Sequence, residues 1–316
     1  MPKFMVTEPI HEAGLEVLRA AGEVVMASGQ DEDTLIAEVG DIDGMVLRAK
    51  GRITRRVLEN APKLKVVGRH GVGVDNVDLE AATECGVQIV NTPLATVEGV
   101  AEHAVGMMLA LSKQMGVAER MIRSGRFAER YSIEGREMRG RTLGVIGCGR
   151  IGRRVAQICR LGFDMPVLYC DVVAAPDLES ELGARKVALE ELLANAEYIT
   201  VHVPLLPETT RMIGRAQFAL MKPEAMFFNL ARGPVVDEAA LIEALQEGRI
   251  AGAGIDVYEQ EPTPSDNPLL AMDNVVVTPH VASSTAEALR MMSLVAEDVV
   301  AVVQGRPPKF PVNHLA

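Results

Sequence analysis

Short runs of apolar and β-branched residues recur along the chain, each followed by a stretch whose apolar positions fall three or four apart. In the first third the runs lie at residues 4–6, 24–26, 44–47, 64–68 and 88–90. The stretches between them predict amphipathic helices, such as 11–21, where Leu15 and Leu18 share a face, and 78–85, which opens on Asp78 as an acidic cap. Strand then helix, repeated, predicts parallel sheets covered by helices.

The rhythm changes at residues 97–124, a helix-compatible stretch with an apolar face of Ala101, Val105, Met108, Leu109 and Leu111. The pattern predicts one long connector, whose apolar side serves either as domain core or as a subunit interface. A more regular series follows, with strands expected at 143–146, 167–170, 198–203, 226–230, 250–256 and 275–278. Six strands in this order match a dinucleotide-binding sheet made of two βαβαβ halves. The last helical run, 285–304, has no strand after it and is a candidate to pack back on the first part of the chain.

Composition narrows the function classes. A length of 316 residues, 48% of them hydrophobic and 24% charged, predicts two ordinary globular domains at roughly 100–200 residues each. A net charge of -11, with 3% aromatics and no Trp, argues against a nucleic-acid partner. No apolar run reaches the roughly 20 residues of a spanning helix, and no secretion signal is read, so no membrane association is expected. Cys85, Cys148, Cys159 and Cys170 form no CxxC pair and have no His at ligand spacing. They predict free thiols in a reducing cytoplasm and no metal site.

The strongest local signal is Gly147-Cys148-Gly149-Arg150-Ile151-Gly152, which follows a predicted strand and opens a predicted helix. It is answered by Asp171 at the end of the next strand, roughly 20 residues on, as the dinucleotide fingerprint requires. Gly147 permits the tight turn, Gly149 lets backbone approach a pyrophosphate, and Gly152 lets helix and strand pack closely. Asp171 would accept hydrogen bonds from ribose hydroxyls and repel a 2′-phosphate, which favours NAD over NADP.

Three later segments carry reactive groups just past strand ends: Arg232 in Asn229-Leu230-Ala231-Arg232-Gly233, Glu261 before Pro262, and His280 after Thr278-Pro279. Hydride transfer to a 2-oxo acid needs a cation for the carboxylate and a proton donor for the carbonyl oxygen. Arg binds a carboxylate through two parallel hydrogen bonds, and a Glu beside His favours the imidazolium. Asp256, also at a strand end, is a candidate acceptor for the nicotinamide carboxamide.

With these motifs the chain resembles the D-isomer-specific 2-hydroxyacid dehydrogenases, the family of phosphoglycerate dehydrogenases and hydroxypyruvate and glyoxylate reductases. The resemblance extends over almost the whole chain and also covers Gly71-Val72-Gly73-Val74-Asp75-Asn76, Asn91-Thr92-Pro93, Ala101-Glu102-His103 and His202-Val203-Pro204-Leu205. It implies an α/β fold of two doubly wound parallel-sheet domains. One is a flavodoxin-like substrate domain, 1–98 plus 285–316, and the other a Rossmann NAD-binding domain, 99–284, with the active site in the cleft. It further implies a homodimer through the 99–124 region.

Carried over to this chain, the resemblance implies that Arg232, Glu261 and His280 are catalytic, with His280 as general acid in reduction. Cofactor contacts would fall on Gly147, Gly149, Arg150, Ile151, Gly152, Asp171, Val203, Pro204, Thr209, Leu230, Ala231, Asp256 and Ser283. The substrate, a small 2-oxo or D-2-hydroxy acid of the hydroxypyruvate/glycerate or 3-phosphoglycerate type, would meet Val72, Gly73, Arg232 and Arg48. His70 stands where members often have a small residue, and is read as either a specificity residue or a loop-packing residue. Together with Arg48, Lys50, Arg52 and Arg69 it would suit a second anionic group. No regulatory C-terminal domain of the kind found in some phosphoglycerate dehydrogenases is expected within 316 residues. The alternative left open is an NAD(H)-sensing, corepressor-like protein on the same fold, with little turnover.

Overall fold

The computed structural model describes residues 1–315, which divide into two compact units: 1–96 with 284–315, and 97–283. In the first, β1 (Lys3–Val6), β2 (Glu23–Met26), β3 (Gly44–Leu47), β4 (Val66–Arg69) and β5 (Gln88–Val90) pair in parallel in the order β2-β1-β3-β4-β5. This is the flavodoxin-like order. Because side chains alternate along a strand, Met5, Met45, Leu47, Val67 and Ile89 face one core with Leu35, Val57, Leu58 and Ala81. Phe4, Val6, Val46, Val66 and Val90 face the other, against Leu18, Val295 and Val299. Helices therefore cover both faces, which is why the strands read as continuous apolar runs. Asp78 caps its helix as expected, accepting from the Ala81 N–H at 2.9 Å.

The run expected as one helix at 285–304 is two, Ala286–Ser293 and Val295–Val303. At the break the Leu294 N–H bonds three residues back to Met291 O, and Ser293 Oγ donates to Leu289 O, a local bond that competes with helix continuation. Beyond it the chain covers the open edge of β5: Val90 and Pro311 form an antiparallel bridge and Val312 N–H donates to Ile89 O. Asn313, only 8% exposed, locks this arrangement. Its Oδ1 accepts from Ile89 N–H at 2.7 Å and its Nδ2 donates to Val87 O at 3.0 Å.

The second unit holds β6 (Leu143–Ile146), β7 (Val167–Cys170), β8 (Arg185–Lys186), β9 (Tyr198–Val201), β10 (Met226–Asn229), β11 (Gly252–Ile255) and β12 (Val275–Val277). All pair in parallel, in the order β12-β11-β10-β9-β6-β7-β8. The six-strand expectation is corrected to seven. The missed strand, β8, is two exposed cationic residues on the sheet edge, where no buried face imposes an apolar signature. Tyr169, Tyr198 and Phe228 pack beneath helices Val97–Ser112 and Arg150–Phe163 on one face. Ile199, Phe227 and Ile255 pack beneath Glu238–Gln246 and its neighbours on the other. This is the Rossmann doubly wound arrangement.

The single connector expected at 97–124 is also two helices, Val97–Ser112 and Met115–Arg123. Gln114 breaks it with φ +49°, and its side chain donates to Glu134 O at 2.7 Å. A left-handed Gln leaves no Gly or Pro in the sequence to mark the stop.

Asn313→Ala removes the acceptor and donor that satisfy Ile89 N–H and Val87 O. A loss of roughly 1–3 kcal/mol is expected, read as a lower urea midpoint.

Candidate active site

Since every strand of the second unit runs the same way, the segments after β6, β7, β9, β10, β11 and β12 emerge at one sheet edge. The strand order reverses between β6 and β9, the point where open α/β sheets bind ligands. There Gly147 turns with φ +88°, and a Cβ on it would lie 2.7 Å from the His202 carbonyl carbon. A Cβ on Gly152 would lie 2.1 Å from Gly147 O, so only glycine lets the helix close on the turn. At Gly149 the added atom would meet open space, which leaves backbone accessible to a ligand. Gly149 is the N-cap of Arg150–Phe163 and supplies no side chain to the first N–H groups, which suits a pyrophosphate.

Asp171, directly after β7, accepts from Cys148 N–H at 2.6 Å and Val173 N–H at 2.9 Å. Its carboxylate is thus aimed by the glycine turn itself, with lone pairs remaining for ribose hydroxyls. The open cradle at Gly149, the uncapped helix end and the placed carboxylate fit a dinucleotide with free 2′- and 3′-hydroxyls. Arg150 is exposed and Ile151 half-buried at the first helical turn; Val203 and Pro204 follow β9. Thr209 folds that loop: its Oγ1 donates to Pro204 O at 2.7 Å and accepts from Leu206 N–H at 2.8 Å. Leu230 is 7% exposed, its side chain in the core, so only its backbone can face a ligand; Ala231 and Ser283 are half-buried.

His280 stands after β12 with φ +53°, a conformation unfavourable for a side chain with a Cβ. Its Nδ1 is 2.8 Å from Glu261 Oε2, and Glu261 Oε1 accepts from Tyr258 N–H at 3.0 Å. Burial pulls the Glu261 carboxyl upward. The hydrogen bonds from His280 and Tyr258, with the charges of His280 and Arg232, outweigh it and hold Glu261 below the ordinary carboxylate range. Arg232 follows β10, where Asn229 clasps the turn: Asn229 Nδ2 donates to Arg232 O and Asn229 Oδ1 accepts from Ala231 N–H. Gly233 then passes so close to the Tyr258 carbonyl that a Cβ would sit 1.7 Å from its oxygen. That approach brings the Arg232 turn against the loop carrying Glu261.

Asp256 is 1% exposed and its carboxylate is held by neighbouring donors. Oδ1 accepts from Thr278 Oγ1 at 2.5 Å and Val281 N–H at 2.9 Å, and Oδ2 from Ala282 N–H at 3.0 Å. Its own carbonyl accepts from His280 N–H at 2.7 Å. Sequence patterns missed the partners of this group. Thr278 looks like an ordinary strand end, and His103 lies within an apolar helix, with Nε2 3.0 Å from Thr278 Oγ1. The available signals were the polar Glu102-His103 pair within that largely apolar stretch and its place in the Ala101-Glu102-His103 segment.

In the first unit, Arg48 is half-buried and its Nη1 donates to Pro9 O at 2.9 Å; Lys50 and Arg52 are exposed. Val72 is 38% exposed, and among the described residues neither the Val72 nor the Gly73 N–H donates to a protein acceptor. His70 is 4% exposed, its Nε2 3.1 Å from Ser293 Oγ, a placement that matches the loop-packing alternative. Burial, reinforced by the charge of Arg48, pushes it down to about 4 and keeps the ring neutral. Cys148 is also a packing residue, 4% exposed, its thiol pushed up to about 12 by burial. Among the described residues no cluster of His, Cys, Asp or Glu is built to hold a metal, and no helix is long and apolar enough to cross a membrane.

Two outcomes follow from this geometry. Gly152→Val forces helix and turn apart, and NADH affinity in a fluorescence titration is expected to fall at least about tenfold. Because Glu261 is lowered in the folded state, its contribution to stability is present above the ordinary carboxylate range and is lost as pH falls through the lowered value. Glu261→Gln is therefore expected to melt below the parent at neutral pH, with the gap closing as the acid range is entered.

Residues 105–282 match the D-isomer specific 2-hydroxyacid dehydrogenase, NAD binding domain family. The chain is 43% identical to a D-3-phosphoglycerate dehydrogenase of Archaeoglobus fulgidus, over 98% of this chain but 59% of that protein's length. It is 40% identical to a glyoxylate reductase of Korarchaeum cryptofilum, over 99% of this chain and 96% of the relative. A solved structure of a Thermus thermophilus protein superposes with a TM-score of 0.92 at 36% identity, covering 98% of this chain and all of that one. With the glycine turn, Asp171 and the reversal of strand order already in place, these similarities make the chain a member of the NAD-binding D-isomer-specific 2-hydroxyacid dehydrogenase family.

Proposed function

We propose that this protein interconverts a small 2-oxo acid and its D-2-hydroxy acid with NAD, the acid being of the hydroxypyruvate/glycerate or 3-phosphoglycerate type. The observation that carries the reading is the His280–Glu261 pair, closed at 2.8 Å within reach of the Arg232 charge at the sheet edge that bears the glycine turn. Relatives named D-3-phosphoglycerate dehydrogenase and glyoxylate reductase support a small 2-oxo acid.

Bound NADH supplies the hydride for the 2-oxo carbon. Arg232 holds the substrate carboxylate through paired N–H groups and keeps the carbonyl polarised. With Nδ1 engaged by Glu261, His280 has Nε2 left to give its proton to the carbonyl oxygen, and to take it back in oxidation. Glu261 stabilises the imidazolium before transfer and fixes the ring throughout. The N–H groups of Val72 and Gly73 are assigned to the carboxylate, with Arg48 as an additional anchor. Asp171 sets the preference for NAD. We further assign the protein to the cytoplasm and to a homodimer through the 99–124 region, supported by the exposed Met115 and Ile122.

NADH oxidation against glyoxylate, pyruvate, hydroxypyruvate and phosphohydroxypyruvate tests the reading, with NADPH in parallel. Preference for a three-carbon acid with NADH is expected; no turnover with any 2-oxo acid despite NADH binding overturns it. His280→Gln is expected to lower kcat about 10²–10⁴-fold with NADH binding kept. Arg232→Lys should lose kcat/KM, because a point charge cannot reproduce the two-pronged grip. Ordinary kinetics in that variant place the carboxylate elsewhere.

A further inference from the structure

We infer that His103 is a positioning residue for His280, acting through Thr278 and Asp256; this rests on the reading of His280 as the proton-transfer group. The Thr278 hydroxyl has one proton, and the 2.5 Å contact commits it to Asp256 Oδ1. Its oxygen therefore meets His103 Nε2, 3.0 Å away, as an acceptor, and Nε2 carries the hydrogen. Nε2 also stands 3.9 Å from Asp256 Oδ1, too far for a direct bond, so the hydroxyl is the link.

What the link holds is the orientation of a buried carboxylate. Asp256 uses both oxygens on the N–H groups of Val281 and Ala282, the two residues after His280, and its backbone carbonyl on the N–H of His280 itself. A left-handed non-glycine residue persists only where its surroundings over-determine it, and these three bonds do so for His280. Without the His103 donor, the Thr278 hydroxyl is released to turn and the carboxylate loses its fixed plane. The Val281 and Ala282 bonds loosen, and His280 drifts from the geometry that aims Nε2. His103 is anchored for this task, because its helix is fixed by the buried Ala104, Val105, Met107 and Met108 around it.

The experiment compares His103→Leu, which removes the donor, with His103→Gln, which keeps an N–H at similar reach, beside Thr278→Val and His280→Gln. His103→Leu is expected to lose about 10–100-fold in kcat, the scale of a small misplacement, with NADH affinity changed far less. His103→Gln should restore most of that loss. The His103→Leu, Thr278→Val double variant should lose no more than either single change, since both cut one chain. Amide exchange at Val281 and Ala282 should quicken in the Leu variant and not in the Gln variant, independently of any substrate. Parent-like turnover and exchange in His103→Leu overturn the proposal, as does an equal kcat loss in both variants with protection unchanged. If His280→Gln leaves turnover intact, the reading of His280 falls instead, and the exchange rates still decide whether His103 holds the loop. Should His103→Leu fail to fold, Thr278→Val against Thr278→Ser carries the same comparison.

Discussion

A carboxylate buried to 1% exposure, with no cation in hydrogen-bonding contact among the described residues, is tolerable only when its oxygens are filled by donors. Asp256 meets that demand with Thr278, Val281 and Ala282, and in doing so draws the chain after β12 back across the end of β11. The same closure puts His280 in its left-handed conformation and within 2.8 Å of Glu261, which itself follows β11 by a short loop. One desolvated charge thus couples the ends of two neighbouring strands. The placement of the imidazole follows from that coupling more than from any property of the ring.

The remainder of the site depends on parallel pairing. Register from Leu143 to Ile255 places the ends of β6, β9, β10 and β11 side by side, so a turn built for phosphates and a turn carrying Arg232 share one edge. Two close approaches refine this: Gly152 over Gly147 and Gly233 over Tyr258. In both, a missing Cβ allows backbone to touch backbone, and a charged or anion-binding neighbour is carried into place. Asp171 shows the same economy, since the loop amides that orient it belong to the glycine turn.

In the first unit a different balance holds. His70 adjoins cationic residues in sequence, yet its ring turns inward to Ser293, whose oxygen also accepts from His11 N–H at 2.9 Å. Burial outweighs the ring's affinity for a proton and leaves it neutral, a packing element between β4 and the helix Ala286–Ser293. The Val72 and Gly73 N–H groups, which donate to no protein acceptor among the described residues, stay available to an anion, and no side-chain pattern advertises them.

The alternation of apolar runs with helical stretches by itself determined the α/β class and eleven of the strands. The Gly147–Gly152 spacing with Asp171 determined the dinucleotide turn. Arg232, Glu261 and His280 were legible because each follows an apolar run, and a parallel sheet sends all such ends to one edge. Tertiary structure alone decided the breaks at Gln114 and Leu294, the edge strand Arg185–Lys186, the inward turn of His70 and the chain His103–Thr278–Asp256. These depend on which groups lose water and on what they then meet. Periodicity records that a position is buried, but the partner of a buried hydroxyl or carboxylate lies far along the chain and is fixed only when the sheet brings it near.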